Sequence, residues 1–137
     1  MQSIIRFLKE IYLTGFAVTF NLSRVKDIAF KAGGAIGLLT VLEWLLLIGI
    51  SGYLEMFLNK KLTLIKPIII IAFFTLFTVN GYFLYFRGHG IDFATKFHNL
   101  KKSRRVLLVL SFVVLSSISI VLFVLSGIAY RHFIGVN

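Results

Sequence analysis

The chain contains no cysteine, one proline and only five acidic residues in 137. Without cysteine there are no disulfides, no thiolate metal ligands and no thiol nucleophile. A single proline beside eleven glycines and fifteen phenylalanines excludes a disordered or low-complexity chain. The signatures of common active sites are missing as well: no G-x-x-x-x-G-K-[ST], no G-x-S-x-G, no H-E-x-x-H and no dinucleotide fingerprint. Ser111, Ser116, Ser117, Ser119 and Ser126 have no histidine near them in the same apolar run, so no nucleophile–base pair is evident. Catalysis is therefore not expected, and neither is a cofactor.

Acidic residues are outnumbered by fifteen lysines and arginines, for a net charge of +10. In a soluble protein that balance would point to nucleic acid. Here 58% of residues are hydrophobic and 15% are charged, and the basic residues cluster beside apolar runs. No basic domain is left once those runs are removed, so nucleic acid is not an expected partner. A bilayer surface with anionic headgroups is.

What the chain does have is three runs of membrane length, at residues 33–54, 67–86 and 106–130. They predict an all-α membrane protein, one polytopic domain with three transmembrane helices. Residues 1–31 form an N-terminal flank, in which Ile4, Ile5, Leu8, Ile11 and Tyr12 recur at helical spacing. That pattern predicts an interfacial amphipathic helix. The apolar stretch 11–22 is only twelve residues, short of the roughly twenty needed to cross. The competing reading is a short or re-entrant fourth segment. Asn21 or Ser23 is expected to cap a second short helix leading into the first span.

Between spans two and three, residues 87–105 predict a basic interfacial helix. Gly88 and Gly90 break the preceding span. Ile91, Phe93, Ala94, Phe97 and Leu100 then supply an apolar side, and Lys96, His98, Lys101, Lys102, Arg104 and Arg105 a basic one. A short polar turn is expected at residues 58–61, and the tail 131–137 is too short to form a domain. Eleven lysines and arginines fall in the flank and the 87–105 link, against four in the first link and the tail. The positive-inside rule then places the protein in a plasma (inner) membrane with its N-terminus cytoplasmic and its C-terminus outside.

Glu43 is the sharpest feature, lying about 15 Å into the first span. A carboxylate at that depth should face protein or water. Thr75 and Thr78 on the second span, and Ser116 and Ser117 on the third, stand at matching depth. An intramembrane polar layer of these five residues is expected. Gly33 and Gly37 form a G-x-x-x-G pair continued by Thr40, which predicts close helix packing, and Asn80 is expected to bond to a neighbouring span. Lys101, Lys102, Arg104 and Arg105 are expected to engage anionic headgroups. His89, Asp92 and His98 are the only grouping that resembles metal ligands. Because Gly90 interrupts it, no metal site is expected.

Three functional classes fit this layout. The first is a non-enzymatic accessory, regulatory or immunity-type protein that binds another membrane protein. The second is a self-associating, pore-forming protein of holin-like or defence-effector type, a homo-oligomer. The third is a lipid-modifying or lipid-carrying protein, disfavoured for want of paired catalytic groups. The first is preferred for the compact size, the glycine pair and the lack of a soluble domain.

Overall fold

The computed structural model describes residues 2–58 and 65–133, and every regular element there is helical. Five α-helices follow in order: α1 (Gln2–Leu22), α2 (Ile28–Leu58), α3 (Ile65–Gly81), α4 (His89–Phe97) and α5 (Lys102–Phe133). A π-helical turn, Tyr82–Phe86, extends α3. Three stretches are long and apolar enough to cross a membrane: Ile28–Leu58, Pro67–Phe86 and Lys102–Arg131. The polar turn expected at residues 58–61 falls, beyond Leu58, outside the described residues, as does the tail from residue 134.

The second helix begins where its first backbone donors find an acceptor. The Asp27 carboxylate accepts from the Ala29 amide at 2.7 Å and the Phe30 amide at 3.2 Å. This is an N-cap, satisfying N–H groups that the first turn leaves unpaired. Neither Asn21 nor Ser23 fills that role, and no separate short helix precedes the span. Asn21 instead ends α1 and donates to the Ala94 carbonyl at 3.2 Å. Asp27→Ala should destabilise the start of α2 by about 1 kcal/mol, measured as faster amide exchange at Ala29 and Phe30. Unchanged exchange would show that the cap contributes nothing.

The first helix makes packing contacts that the sequence did not indicate. It is one continuous helix, and its second half is the most enclosed part of the molecule: Thr14, Phe16 and Ala17 are wholly buried. They pack with Ala32 and Ala35 of α2, Leu84 of the π turn and Ala94 of α4. The residues expected to form its apolar contact face divide instead. Ile11 is buried, whereas Ile4, Ile5 and Leu8 stay more than half exposed, at 63%, 58% and 53%. The buried threonine is satisfied within its own helix, Thr14 Oγ1 donating to the Glu10 carbonyl at 2.7 Å.

The chain breaks after α3 at Gly88 alone; Gly90, expected to break it too, lies inside α4, where it packs closely on Phe16. Gly88 adopts φ of +72°, the left-handed region that glycine enters without steric cost, and this reverses the chain into α4. Gly90, Ala94 and Phe97 then face the core while Lys96 and His98 stay exposed.

Helices α2 and α5 run parallel and share the broadest contact in the bundle. Gly49 is the closest point: a Cβ there would lie 3.1 Å from the Leu122 carbonyl carbon and from the Phe123 nitrogen. One turn on, Gly52 abuts Ser126, which is buried. Small residues thus let two backbones meet, as expected for helices associating in lipid. The outer faces of α3 and α5 are apolar, with Ile71, Phe74, Val114 and Ile118 among the exposed side chains. Hydrocarbon suits such a surface far better than water.

Candidate functional site

Four polar side chains from three helices converge beside the core. Thr40 and Glu43, three residues apart, share one face of α2. Asn80 comes from the last turn of α3, just before the helix widens into its π turn. Tyr12 arrives from α1. The Tyr12 hydroxyl donates to Asn80 Oδ1 at 2.6 Å, and Asn80 Nδ2 donates to Glu43 Oε2 at 2.7 Å and to Thr40 Oγ1 at 3.2 Å. Asn80 is therefore the hub. Its amide offers two donors and an acceptor in fixed directions, and the cluster uses all three.

The expected polar layer is only partly formed. Glu43 is in it, and Ser116 lines a cavity beside it. Thr75 and Thr78 are exposed on the outside of α3, each donating at 2.9 Å to a carbonyl of its own helix, Ile71 and Phe74 respectively. Ser117 is exposed on the outer face of α5. A residue at matching depth joins the layer only if its helix turns it inward, and α3 turns Asn80 inward instead. Sequence reading also missed Tyr12 as a member, since its helix was expected at the surface.

The helix-packing residues divide in the same way. Thr40 and Asn80 are buried and join α2 to α3. Trp44 ties the same pair, its indole N–H donating to the Ile69 carbonyl at 3.1 Å. A Cβ at Gly33, Gly34 or Gly37 would meet no other atom within 4 Å among the described residues. Within the chain, the close helix contact is made by Gly49 and Gly52.

Of the four basic residues assigned to headgroups, Lys101 and Lys102 are exposed. Arg104 is pinned within the molecule, its Nη2 lying 2.8 Å from both oxygens of Glu10. Arg105 Nη1 approaches the His98 carbonyl at 3.5 Å. His89 stacks its ring on Phe83, with centroids 4.8 Å apart. No group of three or more histidine or acidic residues placed to hold a metal occurs among the described residues.

The cavity beside Glu43 holds about 150 Å³ and opens at the joint of α1, α2 and α5. Leucines and phenylalanine form most of its wall, and Tyr12, Glu43, Ser116 and Ser119 are its polar members. Further along the α2–α5 seam lies a second cavity of about 270 Å³, lined by Ser51, Glu55, Ser126 and Tyr130 among others. Glu55 is 8% exposed and pairs with the Tyr130 hydroxyl. The sequence reading ended the first span at residue 54 and missed Glu55, which its spacing from Ile48, Ser51 and Gly52 along one helix face could have signalled. Compared with known proteins, the chain matches no family model, no curated protein and no solved structure, so this geometry is what speaks to function.

Proposed function

We propose that the chain is a non-enzymatic integral protein of the plasma membrane that acts by binding another membrane protein, in an accessory, regulatory or immunity-type role. The observation that supports this is the contrast within α2. Its later glycines, Gly49 and Gly52, clasp α5, whereas Gly33 and Gly34 line a shallow open groove. Phe30, 76% exposed, rims that groove. A bare glycine groove beside an aromatic side chain suits a second helix approaching closely in lipid.

The ends of α2 and α5 bearing Lys31 and Lys102 face the cytoplasm in this reading, with the C-terminus outside. Exposed Lys101 and Lys102 would contact anionic headgroups there. A self-associating pore has less support. Ser119 and Ser126 are buried in the chain's own α2–α5 seam, so α5 has few polar groups left to line a shared channel.

Because the chain lacks cysteine, Gly34→Cys introduces a unique thiol on the open face. Cross-linking from it in native membranes should capture a second membrane protein. Gly33→Leu, which fills the groove, should lower the yield about tenfold. Unchanged yield would sink the interface, and an adduct of twice the chain mass would replace the partner by a second copy.

A further inference from the structure

The cavity at Glu43 has a one-sided hydrogen-bonding character. The Tyr12 proton goes to Asn80, and the Asn80 amide protons go to Thr40 and Glu43. Ser119 donates to the Leu115 carbonyl at 3.1 Å. With those donors engaged elsewhere, what remains toward the cavity is the acceptor capacity of the Glu43 carboxylate and of the Tyr12 and Ser119 oxygens, together with Ser116, whose hydroxyl can accept or donate. Glu43 Oε1 has no hydrogen-bond donor, and no lysine or arginine pairs with Glu43, among the described residues.

An acceptor-rich pocket with one carboxylate calls for a ligand that donates and carries positive charge. A hard metal cation is a poor fit, since such ions take about six or more oxygens, and the polar wall offers four side chains. An ammonium group is a better one, having three donors and no acceptor. The rest of the wall fixes what the ammonium is attached to. Leu39, Leu42, Leu46 and Phe112 line it, so the remainder of the ligand is apolar. A cavity of 150 Å³ takes the head and the first methylenes, and its open side lets a chain continue along the bundle.

We propose that this cavity binds the ammonium group of a lipophilic primary amine, with Glu43 as its counter-ion and Ser116, Ser119 and Tyr12 as hydrogen-bond acceptors. Binding would give the carboxylate the partner that the fold does not supply, in a setting where an unpaired charge is costly. The amine is either a free amphiphile or the amine end of a lipid. The site is independent of the glycine groove.

The test uses the full chain in nanodiscs with radiolabelled n-octylammonium. One saturable site per chain is expected, displaced by unlabelled n-octylammonium and not by n-octanol, which lacks the charge. Glu43→Gln keeps an acceptor for Asn80 and should weaken binding about tenfold or more. Ser116→Leu, which fills the cavity without touching the cluster, should do the same, and Glu55→Gln should leave binding unchanged. Absence of a saturable site, equal displacement by n-octanol, or full binding by Glu43→Gln would each overturn the proposal. Should either variant fail to fold, the wild-type chain decides alone. There n-octylammonium must slow modification of Glu43 by dicyclohexylcarbodiimide, with Glu55 as internal reference, and an unchanged rate rejects the site. Competition by phosphatidylethanolamine or sphingosine-type amines in the same assay separates a lipid from a free amphiphile.

Discussion

Gly49→Leu should destabilise the bundle by about 3 kcal/mol, the upper part of the range for overpacking a tight interior. The reason is the identity of the neighbours. A Cβ at this position lies 3.1 Å from the Leu122 carbonyl carbon and the Phe123 nitrogen, which are backbone atoms and cannot rotate aside. The helices themselves must separate, and contacts made one turn further on, where Gly52 meets Ser126, would be lost with them. Gly37→Leu is the matched control: the same replacement in the same helix, into open space. It should stay within about 0.5 kcal/mol of wild type. Reversible unfolding in mixed micelles measures both. Equal losses would refute the assignment of Gly49 as the point of closest approach.

Asn80→Leu should cost about 2–3 kcal/mol, more than any single hydrogen bond in the cluster. An interhelical hydrogen bond in lipid averages only about 0.6 kcal/mol. Removing the hub, however, strands three partners together: the Tyr12 hydroxyl, the Thr40 hydroxyl and the Glu43 carboxylate. Leaving an acidic group without its donor in an apolar interior carries the larger penalty. The diagnostic result is therefore non-additivity. Adding Glu43→Leu to Asn80→Leu removes the stranded charge and should recover most of the loss. If the double variant is instead less stable than wild type by the sum of the two single effects, Asn80 and Glu43 do not act as a pair.

The three long helices were legible because each carries an uninterrupted apolar run, a signal that depends on length and composition alone. Which way each helix faces was not. On α3, Thr78 and Asn80 are two residues apart and so point about 200° from one another. Only one of them can look toward α2. A threonine hydroxyl is satisfied by its own helix, as Thr75 and Thr78 are, while a carboxamide has more hydrogen-bonding capacity than its own turn can meet. That difference, rather than depth, determines who joins Glu43. The glycines of α2 teach the same lesson. Gly33 with Gly37, and Gly49 with Gly52, are comparable small-residue signals, and only the second pair has a helix in reach. The part of the first helix that joins the core was not legible, because a run of twelve apolar residues is short for crossing and carries no sign of what it packs against. Shortness is no obstacle to packing, and Gly15 and Ala17 make that run slim enough to lie among its neighbours.

The placement of α1 also bears on the order in which the molecule can be built. Its contacts reach far ahead along the chain: Tyr12 to Asn80, Asn21 to Ala94, and Glu10 to Arg104. Every one of these partners is synthesised after α2 has formed. Packing of α1 on α2, through Ala32 and Ala35, needs none of these later residues, whereas its three long-range polar ties do. In the interval, the Glu43 carboxylate and the Tyr12 hydroxyl must both wait for Asn80. The polar cluster can therefore close only after α3 has been made, because Asn80 is the residue that joins its other members.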